Sequence, residues 1–217
     1  VVVAGGSPIA MEEVHDLADA VLFMWYPGEQ GGAAVARLLF GDVSPSGKLP
    51  ITFPASLEQV PDFEDYRMDG RTYRFMTGKP LYPFGFGLSY TSLAYSGARA
   101  EKERVSAGEP VRVSATVTNT GPVGSAEAVQ CYITDLDGST RTPLASLCGV
   151  DRVYVPSGSS VDVTFEIPPA AMELVQDDGS RRIEPGRFRI TIGSCSPGER
   201  GVELGAPEPA TVEFEVT

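Results

Sequence analysis

Histidine and positive charge are what this chain has least of. A single histidine, His15, among 217 residues excludes a histidine-built metal cluster or a paired-histidine acid/base device. No metal site and no cofactor is expected. Lys and Arg number 17 against 29 Asp and Glu, for a net charge of −12, and the cations are scattered. A phosphate backbone is held by clustered cations, so no nucleic-acid partner is expected. No apolar run approaches the ~20 residues of a membrane-spanning helix, so no membrane partner is expected either. Cys131, Cys148 and Cys195 are odd in number and widely spaced, with no C-x-x-C pair. They read either as small buried hydrophobes or as one disulfide plus a spare thiol.

What is present is a globular composition, 42% hydrophobic and 21% charged, enough for one large domain or two ordinary ones. The chain opens on Val1-Val2-Val3-Ala4-Gly5 rather than on Met. A continuous β-branched run closed by glycine predicts a strand buried on both faces of a parallel sheet. A polar helix is expected around Ala10–Ala18, then a second apolar run over Ala20–Met24. The turn Pro27-Gly28 leads into a helix from about Glu29 to Phe40, with Val35, Leu38 and Leu39 on one face. Glu29 suits the positive end of that helix and Gly41 its stop. Lys48–Phe53 is expected as a third strand. Three strands cannot bury two helical layers, so about half of an open α/β sheet is expected upstream of Val1. An apolar scar is expected where the missing strands would pack.

Residues 55–100 read as irregular and rich in aromatics, glycine and proline. Beyond Glu101 the pattern becomes period two: Val111, Val113, Ala115 and Val117 point one way, Arg112, Ser114, Thr116 and Thr118 the other. Further strands are predicted at Ala128–Thr134, Val150–Val155, Val161–Ile167, Arg187–Gly193 and Thr211–Val216. Short strands with turn signals and no long helix predict an antiparallel β-sandwich. The fold class expected is thus a partial open α/β sandwich (1–82), a linker (83–100) and an all-β sandwich (101–217).

Acid pairs are candidate carriers of glycosyl and proton-transfer chemistry. Glu12-Glu13, Asp62 with Glu64-Asp65, and Asp177-Asp178 all read as solvated surface charge; adjacent helical residues such as Glu12 and Glu13 do not face one substrate. His15 is expected on a solvated helix face. Ser7 precedes Pro8 without a nucleophile elbow. The Pro27–Gly32 loop fits neither the P-loop nor the dinucleotide fingerprint, and Glu29 would repel a phosphate. It reads as a structural turn or, with Trp25, Tyr26 and Glu29, as the rim of a site. Arg71, Tyr73 and Arg74 divide the same way, between interface packing and a substrate rim.

Four segments carry a family resemblance. They are Trp25-Tyr26-Pro27-Gly28-Glu29-Gln30-Gly31-Gly32, Leu39-Phe40-Gly41-Asp42 with Pro45-Ser46-Gly47-Lys48-Leu49-Pro50, Pro83-Phe84-Gly85-Phe86-Gly87-Leu88-Ser89-Tyr90-Thr91, and Val117-Thr118-Asn119-Thr120-Gly121 with Glu127-Ala128-Val129-Gln130. In this order they resemble the C-terminal part of glycoside hydrolase family 3 enzymes: the end of the α/β sandwich domain and a fibronectin type III-like domain. The run from Gly70 to Gly85 is most similar to the β-xylosidase branch, with β-glucosidases next. The resemblance implies an oligosaccharide or aryl β-glycoside substrate, a partner barrel domain lying N-terminal to this chain, an Asp nucleophile in that barrel, and an acid/base Glu upstream of Val1. No residue of this chain matches either motif, so no catalytic residue is assigned. A non-catalytic structural or carbohydrate-binding module is the alternative reading.

Overall fold

A computed structural model describes residues 1–176 and 178–217. Its first portion is short elements on a small core. Strand β1 (Val2–Val3) is followed by helix α1 (Glu12–Leu17), strand β2 (Leu22–Phe23) and helix α2 (Gly31–Leu39). β1 and β2 pair in parallel, Val2 with Leu22 and Val3 with Phe23. Parallel pairing is what the two apolar runs separated by a helix predict. Val1 and Val2 are exposed, however, so the expected burial of this strand on both faces does not occur here. Among the described residues it has one β neighbour, β2.

Along α2, Val35 and Leu38 are half-buried while Leu39 and Phe40 are exposed. The apolar stripe read from the sequence exists but is only partly covered. The expected strand Lys48–Phe53 is a further correction. Phe53 forms an isolated bridge with Tyr82, and the segment is otherwise irregular. Pro50 and Pro54 have no N–H to give a ladder, so the segment bonds to the chain around 81–86 only at intervals: Leu49 N donates to Phe86 O at 2.9 Å, Gly85 N to Leu49 O at 2.7 Å, and Phe53 N to Tyr82 O at 2.9 Å.

A single helical turn, α3 (Thr72–Phe75), precedes the strands. These are β3 (Leu93–Ala100), β4 (Arg104–Val105), β5 (Val111–Asn119), β6 (Ser125–Asp135), β7 (Ser146–Val155), β8 (Ser160–Ile167), β9 (Leu174–Val175), β10 (Arg181–Arg182) and β11 (Gly186–Gly193). Helix α4 (Glu199–Glu203) and strand β12 (Ala210–Val216) complete the chain. Among the described residues, one sheet runs β4-β12-β11-β6-β7 and another β3-β5-β8. β3 lies in the stretch expected to be irregular and assigned to the linker, yet it pairs with β5 from Leu93↔Asn119 to Ala100↔Val113.

The two sheets close on one core. β5 alternates as its sequence requires, with Val111, Val113, Ala115 and Val117 buried against Val163, Phe165 and Ile167 of β8 and Ile190 and Ile192 of β11. A smaller core of Met11, Phe53 and Leu81, flanked by Phe23, Trp25 and Tyr82, holds the first portion together.

Candidate functional site

The motif residues meet at a junction between the first portion and the sandwich. Lys48 Nζ lies 2.9 Å from Glu127 Oε1 and donates to Gly87 O at 2.7 Å. Tyr95 Oη also donates to Glu127 Oε1, at 2.9 Å. Both side chains of the ion pair are buried, 11% and 2% exposed. A buried carboxylate is tolerated only when charge-paired and hydrogen-bonded, and Glu127 is both. Burial first, then the Glu127 charge, push the Tyr95 phenol far above its ordinary range, so it remains a donor.

Gln130 extends the junction. Its Nε2 donates to Gly85 O at 3.0 Å and Ser194 O at 2.6 Å, and its Oε1 accepts from Tyr132 Oη at 2.5 Å. Gly85 has φ +79° and a Cβ there would fall 2.0 Å from Gln130 Oε1, so only glycine fits. Asn119 acts similarly at the next turn, accepting from Thr91 Oγ1 at 2.6 Å and donating to Val123 O and Val155 O. Three of the four segments that carry the resemblance are thus joined to one another by polar contacts. The sequence singled these residues out by pattern, but their meeting at one buried ion pair was not read from it.

The rim candidates fall into two groups with different neighbours. Trp25, at φ +54°, packs edge-on to Phe23 at 4.6 Å and Phe53 at 6.3 Å between ring centroids. Tyr26 and Glu29 are exposed beside it, in the turn before α2. Gly31 opens α2 where a Cβ would lie 2.3 Å from Pro27 Cβ, which accounts for the glycine in structural terms.

Tyr73 stacks on Phe84 at 4.5 Å and meets Tyr132 edge-on at 5.8 Å, while its Oη accepts from Leu147 N at 3.0 Å. Arg71 Nη2 donates to Asp62 O at 3.0 Å and to Asp65 O, and its Nε to Arg67 O at 3.0 Å. That guanidinium therefore organises the 62–67 loop. Arg74 O accepts from Leu144 N at 2.8 Å, and Arg141 covers the Phe75 ring at 4.7 Å. Tyr73 and Arg74 thus contact the sandwich segment 144–147, whereas the Arg71 side chain bonds within its own loop.

His15 departs from expectation. It is half-buried, its Nδ1 3.0 Å from Tyr82 Oη, with the rings edge-on at 5.4 Å. Burial raises the Tyr82 phenol, so Oη keeps its proton and can donate to Nδ1 in the Nε2–H tautomer.

Of the acidic clusters, one is exposed without a bonding partner among the described residues and the others are bonded locally. Glu12 and Glu13 are exposed in the first turn of α1. Asp62 Oδ1 accepts from Glu64 N at 2.8 Å, and Asp65 pairs with Arg67 at 2.7 Å, whose hydrogen bonds hold its carboxyl far below the usual range. Asp178 Oδ1 accepts from Ser180 N at 2.8 Å; Asp177 lies outside the described residues. Among the described residues no three His, Cys, Asp or Glu side chains gather as a metal site, and no helix is long and apolar enough to cross a membrane.

The family model described as the glycosyl hydrolase family 3 C-terminal domain matches residues 1–90, and that of a fibronectin type III-like domain matches residues 127–196. The xylan 1,4-beta-xylosidase of Xylanibacter ruminicola is 38% identical over 192 residues, covering 88% of this chain and 22% of that protein. The periplasmic beta-glucosidase of Salmonella typhimurium is 35% identical over 204 residues, covering 88% of this chain and 27% of its own length. The crystal structure of the Bifidobacterium adolescentis GH3 beta-glucosidase superposes with a TM-score of 0.86 at 29% identity, over 100% of this chain and 32% of that one. The chain spans about a quarter of the length of the curated relatives it matches. It carries the C-terminal domain of glycoside hydrolase family 3 followed by a fibronectin type III-like domain.

Proposed function

We propose that this chain is the C-terminal portion of a retaining, exo-acting β-glycosidase, a β-xylosidase ahead of a β-glucosidase. In the intact protein it would release terminal β-linked sugars from oligosaccharides or aryl β-glycosides. What supports the β-glycosidase reading is the likeness to curated β-xylosidases and β-glucosidases at 35–38% identity. The xylosidase preference rests on the three relatives at 35–38% named xylan 1,4-beta-xylosidase, putative beta-xylosidase and beta-xylosidase and on the resemblance of the run from Gly70 to Gly85 to that branch. Residues 1–82 are read as the end of an α/β sandwich domain, with the all-β domain after it.

Double displacement needs two carboxyl groups about 5–5.5 Å apart across the sugar. In this reading both come from outside the chain, the nucleophilic Asp from an N-terminal barrel domain. The chain contributes a rim, with Trp25, Tyr26 and Glu29 at its edge. Arg71, Tyr73 and Arg74 would fix the adjoining loop from behind. By itself the chain is read as non-catalytic, since none of its residues matches the family's nucleophile or acid/base motif.

The test is expression from a reading frame that includes the upstream coding sequence. A higher kcat/KM on nitrophenyl β-xyloside than on the β-glucoside, with the β-anomer released first, is expected, and the isolated 217 residues should match the blank. A glucoside preference, an inverted product, or turnover by the isolated chain would each overturn the corresponding part.

A further inference from the structure

Two of the three thiols have been brought together by an irregularity in the sheet. The β6–β7 ladder runs Cys131↔Gly149 and then Tyr132↔Leu147, leaving Cys148 as the extra residue of a β-bulge. In unbroken pairing Cys148 and Cys131 would point to opposite faces. The bulge turns Cys148 onto the core side, where it packs against the cluster containing Cys131. Its Sγ lies 3.7 Å from Cys131 Sγ and 3.2 Å from Cys131 O. Glycine follows at 149 because a Cβ there would stand 2.7 Å from Phe165 Cδ1. Cys195 packs its sulfur against Gly201 instead.

We propose that Cys131 and Cys148 form a modification site: a dithiol that a small disulfide such as oxidised glutathione converts to a cross-strand disulfide. This inference is independent of the glycosidase reading. Cys148 is half-buried and Cys131 fully buried, which sets the order of events. The Cys148 thiolate attacks oxidised glutathione, forming a mixed disulfide and expelling one glutathione thiolate. Cys131, deprotonated in turn, attacks Cys148 Sγ and expels the second. Two protein thiols are oxidised, one glutathione disulfide is reduced, and the two protons leave on the glutathione thiols. The contact with Cys148, and burial, both hold the Cys131 thiol above its ordinary range, so closure is the slower step. The sulfurs must approach by about 1.7 Å from their 3.7 Å contact to reach bonding distance. Leu147, beside the bulge, gives its N–H to Tyr73 Oη, so the link would also clamp the socket in which Tyr73 sits.

The test uses the 217-residue chain with oxidised glutathione, followed by alkylation and peptide mapping. The expected product is a Cys131–Cys148 linked peptide pair with Cys195 still alkylated. The same oxidation in urea should scatter the linkage among all three cysteines. In Cys131→Ser the reaction should halt at glutathione-capped Cys148. Should that variant not fold, Cys148→Ser should leave Cys131 unmodified under native conditions. A native sample that gives a Cys131–Cys195 link, only capped Cys148, or the urea mixture would overturn the proposal.

Discussion

Glu127 is a carboxylate that folding removes from water and then answers with Lys48 and Tyr95. Removing one member of such a pair strands the other, which costs about 3–5 kcal/mol. Glu127→Ala should therefore lower the urea midpoint of the chain sharply. The pair Lys48→Met with Glu127→Leu should recover most of that loss, since two apolar groups leave no orphaned charge. A single variant as stable as the parent would show that the junction is wetter than its burial implies. Both residues were visible in the sequence, each inside a recognisable segment. Their partnership was not, because it joins positions with no shared period and no local spacing to reveal it. His15 escaped for the same reason: its partner, Tyr82, lies 67 residues away.

Secondary structure was legible wherever one rule acted alone. β5 shows strict alternation over Val111–Val117, and the structure buries the residues that rule selects. β3 was missed because Ser96 and Gly97 interrupt its pattern, with a register shift between Ser96 and Arg99 and Gly97 at φ +62°. Alanine and glycine also have little β-propensity of their own. The opposite error arose at Lys48–Phe53, where apolar content was read as a strand although its prolines cannot sustain a ladder.

The turn after β6 carries its own pH signature. Asp137 is bonded to Arg187 at the start of β11, through Nε at 2.9 Å and Nη2 at 2.8 Å. Those hydrogen bonds lower its carboxyl from 3.8 to about 2. A depressed folded pKa contributes stability above the unfolded value that disappears as pH falls through the folded one. Acid titration should thus remove this contribution between about pH 4 and about pH 2. Asp137→Asn should be less stable than the parent at neutral pH, and the gap between their unfolding midpoints should close toward pH 2. A gap independent of pH would assign the loss to packing.

At the scale of the whole molecule the two portions are unequally finished. The sandwich has a large core and the first portion only one of Met11, Phe53 and Leu81; Leu17, Leu39, Phe40, Phe63 and Tyr66 of the first portion are more than half exposed, as are Leu144, Val150, Tyr154 and Val175 of the sandwich. Isolated exposed apolar residues are ordinary; the adjacent Leu39 and Phe40 together offer a larger apolar surface. The chain alone should therefore brighten a hydrophobic dye such as ANS. Replacing Leu39 and Phe40 by serine should dim it, with a stability change of about 0.5 kcal/mol or less, as at open surface sites. A dark parent sample would mean that these side chains fold against one another in solution.

β7 ends its sheet with an open flank, the kind of border along which β proteins fuse into aggregates. Tyr73 occupies one of the amide hydrogens there, and the helical turn carrying it lies across that flank like a fender. A segment that reads as interface packing or a substrate rim would then also keep neighbouring copies from zipping together, so its loss would show first as insolubility.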